Sequence, residues 1–241
     1  MMSKREILLT HRWGQALVEK QTRGTKTRVV KDYSKCGFPG TLLYGRLLPK
    51  REFRALCTIP PRRGIPNDAR LESPYIISYA FLEGITLREA EGTIPLSQTF
   101  FTELWSLMSH MHQHGFVHLD LGNRGNVLIL DDGAPAIIDF ASCTSTRFLP
   151  GWLRRALEKR DKLGLLKLWH RHAPDTVPPT LAHYYAKHYK KNLATPSRFY
   201  RATRHCLDSN QTHGECARVR RIWIFATLTM SIAATLGLIS R

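Results

Sequence analysis

Cysteines and acidic residues are both scarce in this 241-residue chain. The five cysteines, at positions 36, 57, 143, 206 and 216, include no Cys-x-x-Cys pair. Their spacing therefore argues against a disulfide framework and favours free thiols in a reducing compartment. Cys206 and Cys216 lie near His205 and His213, but adjacent ligands converge poorly on one ion, so we expect scattered surface residues rather than a zinc site. The N-terminus also lacks an apolar stretch long enough for a secretory signal.

The shortage of acids leaves a strongly positive chain. Thirty-six Lys and Arg residues stand against 19 Asp and Glu residues, for a formal net charge of +17. Such an excess favours nucleic acid, phosphorylated substrates or an anionic lipid surface as partners. No nucleic-acid recognition motif accompanies the charge, so we do not expect nucleic acid. A basic segment over residues 152–171 is either a site for anionic headgroups or phosphorylated substrate, or a solvated helix face.

The end of the chain lacks charge altogether. Residues 222–240 read IWIFATLTMSIAATLGLIS. As a helix rising about 1.5 Å per residue, this segment is roughly 28 Å long, close to the thickness of a bilayer's hydrocarbon core. Arg218, Arg220 and Arg221 precede it and only Arg241 follows, which predicts that the rest of the chain is cytoplasmic. We predict a single-pass C-terminal membrane anchor, the alternative being a buried core helix.

Hydrophobic periodicity elsewhere predicts a mixed α+β chain. Strands are expected over residues 16–18 and 28–30, joined by a turn at 23–25, and a buried strand over 75–82. A hairpin is expected between 127–130 and 136–138, with its turn at 131–133. Helices are expected over 49–56, over 97–114 with Gly115 beyond its end, and over 152–172 and 181–190.

The stretch from His118 to Phe140, HLDLGNRGNVLILDDGAPAIIDF, carries the chemistry. Asp120, Asn126 and Asp139 are polar residues on an otherwise apolar strand-turn-strand segment. Phosphoryl transfer needs one carboxylate to orient the acceptor hydroxyl, with an amide oxygen and a second carboxylate to hold magnesium. These three residues are of the types required.

At these residues the sequence resembles the protein-kinase superfamily, in the style of the small bacterial lipopolysaccharide (Kdo/heptose) kinases and RIO-type serine/threonine kinases. His118-x-Asp120 with Asn126 resembles the catalytic loop, and Ile138-Asp139-Phe140 resembles the metal-binding Asp-Phe-Gly motif. The resemblance implies a bilobal α+β fold with a small β-rich N-lobe over 1–78, a hinge over 79–84 and a short helical C-lobe over 85–217. The transmembrane helix over 222–240 would follow.

The resemblance also implies ATP and Mg²⁺ as cofactors and assigns further residues. Lys31, on the third strand, would contact the phosphates, with Glu52 as its helix-borne partner. Tyr79 and Phe81 belong to the hinge, whose backbone would face the adenine. Gly14 would lie in the phosphate-covering loop, although residues 9–14 contain no Gly-x-Gly-x-x-Gly.

Two departures from the kinase pattern affect these assignments. The step from Asp120 to Asn126 is six residues where the common pattern has five, so Asn123 competes with Asn126 for the metal role. His118 is expected to support this loop. Ala141 replaces the glycine of Asp-Phe-Gly and removes its backbone freedom there.

The function implied is transfer of the ATP γ-phosphoryl group to an acceptor hydroxyl. About eighty residues separate Asp139 from the hydrophobic segment, and no Ala-Pro-Glu motif lies between them. This leaves little room for a full substrate-docking lobe and favours a glycolipid sugar or other small acceptor at an anionic membrane surface. A protein serine/threonine kinase is the first alternative. A nucleotide-binding pseudokinase is the second, although the lysine, asparagine and two aspartates that it would lack are all present.

Overall fold

The computed structural model describes residues 3–9, 16–34 and 45–189. Gly14 and its loop, the cysteine-histidine group at 205–216 and the predicted transmembrane segment at 222–240 lie outside the described residues. None of the helices within those described ranges combines the length and the apolarity that a membrane crossing requires. The described residues all belong to the first of two compact units, Met1–Tyr189 and Lys190–Arg241.

Five antiparallel strands form the first part of the fold. They are β1 (Ser3–Leu9), β2 (Leu17–Arg23), β3 (Lys26–Asp32), β4 (Arg70–Ser73) and β5 (Ile76–Ala80), in the order β1-β2-β3-β5-β4. The turn between β2 and β3 pairs Arg23 with Lys26 and places Gly24 at φ 61°, where glycine has no Cβ penalty. The predicted hairpin is confirmed.

Among the described residues, one helix packs against this sheet. Helix α1 (Leu47–Thr58) confirms the prediction for residues 49–56 and buries Pro49, Glu52, Ala55 and Leu56. These residues recur at the three- and four-residue spacing of one helix face. Glu52 is the charged residue on that apolar face, so it requires a buried partner.

Strand β5 is shorter than predicted and ends at Ala80 rather than at residue 82. The Phe81 amide donates to the Thr27 carbonyl at 3.1 Å, after which the chain leaves the sheet. Gly84 then begins the first strand of the next sheet, where a Cβ would lie 2.4 Å from the Ile129 carbonyl oxygen. Only glycine permits this approach. Residues 81–83 form a short connection between the two parts of the fold.

The second part is mainly helical. Helix α2 (Gln98–Gln113) begins at Ser97, whose hydroxyl accepts from the Phe100 amide, and is followed by Gly115 at φ 74°. The later elements are β6 (Gly84–Thr86), β7 (Phe116–Val117), β8 (Val127–Leu130), β9 (Pro135–Ile137), β10 (Thr144–Ser145), α3 (Gly151–His172) and α4 (Pro179–His188). The predicted helices and the β8–β9 hairpin are confirmed, and the hairpin pairs with β6 as its third strand.

Helices α2 and α3 form the base of this second part. The Phe101 ring stacks on Trp169 with centroids 5.2 Å apart, and Leu104 and Leu165 are fully buried beside them. Large apolar side chains buried in this way each stabilise a fold by about 1.5–3 kcal/mol. The loop that follows β7, carrying residues 118–126, is thus supported by a well-packed helical base.

Candidate active site

Three charged side chains from separate elements meet at one point. Lys31 on β3 donates to Glu52 of α1 at 2.8 Å and to Asp139, just after β9, at 2.7 Å. Glu52 is fully buried, whereas the Asp139 side chain is 47% exposed. Lys31 and Asp139 are 108 residues apart in sequence, so only the tertiary fold brings them together. The structure places these three predicted residues in contact.

The electrostatics of this group follow from burial and from pairing. Burial by itself lowers the pKa of Lys31, but the charges of Asp139 and Glu52 outweigh it and hold that pKa well above the ordinary value. The Lys31 charge holds the pKa of Asp139 below its ordinary value, and solvent screens part of this attraction. Burial raises the pKa of Glu52, and Lys31 opposes that rise. Lys31 is therefore a fixed cation, and Glu52 depends on it to remain ionised.

Hydrogen bonds complete the surroundings of Glu52. Its Oε1 accepts from the Phe140 amide at 3.2 Å, and its Oε2 accepts from the Tyr33 hydroxyl at 3.3 Å. The Tyr79 ring lies 5.7 Å from Lys31 Nζ, at the distance of a cation–π contact. Burial raises the pKa of both tyrosines. Both tyrosines are thus neutral, and Lys31 is the cation that Glu52 contacts in this pocket.

A buried carboxylate that we did not predict positions the loop after β7. Asp161 of α3 is 1% exposed, and it accepts from the His118 amide at 2.6 Å and the Leu119 amide at 2.7 Å. Its Oδ2 also lies 3.0 Å from His112 Nε2 on α2. Asp161 therefore ties two helices to the residues immediately before Asp120.

The side chain of His118 points inward from the same loop. His118 is fully buried, with Nε2 3.1 Å from the Ile138 carbonyl oxygen and its ring packed edge-on against Phe140. It thereby connects the Asp120 loop to the segment that carries Asp139. No hydrogen bond joins His118 to Asp120 among the described residues, and its role in supporting the loop stays a prediction.

Asn126 fixes the carboxylate of Asp120. Its Nδ2 donates to Asp120 Oδ2 at 2.8 Å and to the Asp120 carbonyl at 3.1 Å, while Asp120 itself is exposed. The Asn126 carbonyl accepts from the Ile138 amide at 2.9 Å, which sets it beside the residue preceding Asp139. Asp120, Asn126 and Asp139 are therefore carried on adjoining backbone, with the Asp120 carboxylate facing solvent.

The loop between Asp120 and Asn126 ends in a short 3-10 turn, Arg124–Asn126. Asn123 caps that turn through Oδ1, which accepts from the Gly125 amide at 3.1 Å. Asn123 Nδ2 lies 3.2 Å from Asp120 Oδ2 and 3.3 Å from Asn126 Oδ1. Asn126 is buried beside the strand leading to Asp139, whereas Asn123 is occupied as a cap, so the geometry favours Asn126 for the metal role.

Backbone-to-backbone packing holds the loop from below. A Cβ added to Gly164 of α3 would lie 2.8 Å from the Gly122 amide nitrogen, and one added to Gly122 would lie 3.1 Å from Gly164 Cα. Such distances leave no space for a side chain at either position. Helix α3 thus contacts the loop directly.

The predicted hinge residues differ in their positions. Tyr79 is buried inside β5, so its ring and not its backbone faces the lysine. The Phe81 amide is already bonded to Thr27, and its ring lies under Lys20 Nζ at 4.1 Å. Among the described residues, the amides of Leu82 and Glu83 have no backbone hydrogen-bond partner, and we had singled out neither residue.

The donor set suits a hard cation. Asp139 offers a half-exposed carboxylate and Asn126 an amide oxygen, and such oxygen ligands are those that Mg²⁺ prefers. In the described ranges, no three His, Cys, Asp or Glu side chains cluster closely enough to bind a metal by themselves. Nucleotide phosphates would have to supply further ligands, as is usual for magnesium in phosphoryl transfer.

These elements define a bilobal, mixed α/β protein-kinase-like fold. The sheet carries the lysine, the helix carries the glutamate, and the loop and the hairpin carry the aspartates. The solved structures that match include the Rio2 kinase–ADP/Mg²⁺–phosphoaspartate complex from Chaetomium thermophilum, with a TM-score of 0.56 and 17% sequence identity. The match covers 81% of this chain and 63% of that chain, so this chain spans less than two thirds of the Rio2 kinase. No family model and no curated protein sequence matches.

Proposed function

We propose that this chain is an ATP- and magnesium-dependent phosphotransferase that moves the γ-phosphoryl group to an acceptor hydroxyl. The observation that carries this proposal is the meeting of Lys31, Glu52 and Asp139 within 2.8 Å contacts, next to a loop that presents the exposed carboxylate of Asp120. Kinase chemistry depends on positioning and charge neutralisation, and these groups supply both.

The nucleotide would lie between the sheet and the helical part. Lys31 would bind its phosphates, held in place by Glu52, while the amide of Leu82 or Glu83 would donate to the adenine ring. The match to a Rio2 kinase solved with ADP and Mg²⁺ supports nucleotide binding at this position.

Asp139 and Asn126 would hold magnesium, which when bound neutralises charge on the phosphates. Asp120 would orient the acceptor hydroxyl and take its proton as transfer proceeds. Its hydrogen bond from Asn126 keeps the carboxylate directed outward. His118 and Asp161 would act through the loop backbone as positioning residues.

The acceptor that we favour is a glycolipid sugar or another small molecule at an anionic membrane surface. The hydrophobic segment 222–240 and the net charge of +17 support a membrane location with the catalytic part in the cytoplasm. Only two α-helices, α3 and α4, follow the site in the described range, which leaves little surface for docking a protein.

The second candidate is a protein serine/threonine kinase. The structural match to Rio2 kinase favours it, although that likeness extends to the fold alone. A pseudokinase is the third candidate, favoured by Ala141 and by the absence of Gly-x-Gly-x-x-Gly in residues 9–14.

One labelling experiment separates these candidates. The full chain in detergent micelles is incubated with γ-labelled ATP, magnesium and either membrane or soluble fractions, and lipid is separated from protein. We expect label in the lipid fraction. Hydroxylamine then distinguishes any protein label held as an acyl phosphate on a carboxylate from label on serine or threonine.

Variants test the assigned roles in the same assay. Asp120→Asn should reduce transfer by about 10²–10⁴-fold, as for loss of a general base, while Mg-ADP still binds. The matched control is Asp131→Asn in the β8–β9 turn, where the side chain is exposed and transfer should be unchanged. Equal transfer by wild type and Asp120→Asn would refute the mechanism, and label confined to protein would favour the second candidate.

A further inference from the structure

The catalytic-loop residues 120–126 are contacted by basic side chains from two directions. Lys167 of α3 donates from Nζ to the Gly122 carbonyl at 3.0 Å. Arg88, just after β6, donates from Nη2 to Asn123 Oδ1 at 2.9 Å. Each contact fixes a cation against the loop while leaving it other donors, since an ammonium has three and a guanidinium has five.

Two more arginines share one acid beside this loop. Arg124 of the loop and Arg171 at the end of α3 both pair with Glu91, the latter at 2.6 Å. Arg88 contacts Asn123, the residue before Arg124, and burial followed by the charges of Arg171 and Arg88 lowers the pKa of Arg124. Four cations thus have one carboxylate partner among their described contacts. A surplus of about three positive charges remains.

One of these cations, Arg88, lies close to Asp120. Asn123 accepts from Arg88 through Oδ1 and donates to Asp120 through Nδ2. Arg88 Nη2 and Asp120 Oδ2 are therefore no more than about 8.5 Å apart, because two hydrogen bonds of 2.9 and 3.2 Å and one amide group connect them. That separation is about the width of one sugar ring bearing a substituent.

We propose that Arg88, Arg124, Lys167 and Arg171, here called the basic cluster, bind a phosphate or carboxylate group that the acceptor carries beside its reacting hydroxyl. This inference rests on the proposed function and narrows its substrate to an anionic sugar headgroup. A guanidinium fork matches the oxygens of phosphate and carboxylate in pairs.

The cluster is accessible as well as ordered. The side chains of Arg171 and Arg124 are 50% and 29% exposed, so a ligand can reach them. Their pairing with Glu91 and the hydrogen bonds of Arg88 and Lys167 to the loop reduce the conformational freedom that binding would otherwise remove.

Matched sugars test the basic cluster without requiring transfer. Glucose and glucose 6-phosphate, and galactose and galacturonate, are titrated into the full chain by calorimetry, with and without Mg-ADP. We expect each anionic sugar to bind at least about tenfold more tightly than its neutral partner. The sugar pair with the larger ratio of anionic to neutral affinity identifies phosphate or carboxylate as the preferred group.

Variants show which residues cause the preference for the anionic sugar. Arg88→Gln with Arg171→Gln should reduce the ratio to near one, whereas Arg171→Lys should keep only part of it, because the charge remains but the guanidinium fork is lost. The control is Arg54→Gln, an exposed arginine of α1, which should leave the ratio unchanged. Circular dichroism and the Mg-ADP affinity of each variant verify its fold.

Equal binding of neutral and anionic sugars, or a ratio that survives the double substitution in a folded protein, would overturn the proposal. Tighter binding of a Glu-rich peptide than of either anionic sugar would overturn the assignment to sugars. Failure of the proposed function is distinguishable, because it appears as absent Mg-ADP binding and absent label from ATP while the preference for anionic sugars persists.

Discussion

Replacing Lys31 by methionine would leave the fully buried Glu52 carboxylate without its cationic partner. The remaining partners of Glu52 are two neutral donors, the Phe140 amide and the Tyr33 hydroxyl. Removing one member of a buried ion pair costs about 3–5 kcal/mol, because the other charge stays desolvated. We therefore expect Lys31→Met to lose about that much free energy of unfolding at pH 8.

The loss should depend on pH in a defined direction. Burial already raises the pKa of Glu52, and without the opposing lysine charge that pKa rises further. A carboxyl whose folded-state pKa lies above its unfolded value contributes stability below the unfolded value and loses it as pH rises through the folded value. The variant should therefore regain stability on acidification towards pH 5, by about 1.4 kcal/mol per pH unit while Glu52 titrates.

Asp139 also loses its cationic partner in this variant, because the Lys31 charge is what lowers its pKa in the wild type. The double variant Lys31→Met with Glu52→Gln lacks the same lysine and keeps Asp139. The difference in pH slope between the single and the double variant therefore reports on Glu52.

Urea unfolding of the full chain in micelles, followed by tryptophan fluorescence between pH 5 and pH 8, measures these effects. The double variant Lys31→Met with Glu52→Gln is the control, because it removes both charges and keeps an acceptor for the Phe140 amide. We expect it to lie within about 2 kcal/mol of wild type and to show a smaller pH slope than the single variant. A single variant whose loss is independent of pH, or equals that of the double variant, would refute the reasoning.

Three further predictions concern the loop and the metal. Asp139→Asn should abolish the magnesium dependence of ADP affinity, measured by titration with and without chelator, and leave metal-free binding unchanged. Asp161→Asn should unpair one of the two backbone amides that Asp161 holds, which should lower stability by about 1–3 kcal/mol. It should also reduce kcat more than it alters KM for ATP. A kcat equal to that of the wild type would contradict the positioning role of Asp161. Gly164→Ala should cost about 1–3 kcal/mol in thermal unfolding because its Cβ would overlap Gly122, whereas Gly151→Ala on the same helix should be neutral or stabilising.

The ion-pair geometry could be predicted because it depends on motif order. In the sequence, Lys31 and Asp139 each look like ordinary surface residues. Only their positions relative to Glu52 and Asp120 indicated that they converge. The β2–β3 and β8–β9 hairpins were likewise accessible from local turn chemistry at Gly24 and at residues 131–133.

The structural importance of Asp161 could not be predicted from local pattern. In a helix rich in lysine and arginine, one aspartate resembles a solvated residue. Its burial arises from two loop amides supplied by residues more than forty positions earlier. A weak signal existed, since Asp161, Leu165 and Leu168 share one helix face and all three are buried.

The basic cluster escaped prediction for a related reason. Arg88 and Arg124 belong to separate segments, and a chain with 36 basic residues offers many such pairs. Only the hydrogen bond from Arg88 to Asn123 shows which of them lie beside the loop.

The end of β5 was predicted too late in the chain because residues 81–82 are as apolar as the strand itself.

Leu119 and Asp139 both adopt left-handed backbone conformations, with φ of 65° and 64°. Each costs roughly 1–2 kcal/mol for a residue with a side chain, and each directly adjoins or carries a carboxylate of the site. Laboratory evolution for heat resistance alone should consequently recover glycine at position 119, releasing this stored energy. The same variants should turn over ATP more slowly, because a more flexible backbone at position 119 would allow Asp120 to leave the orientation that transfer requires.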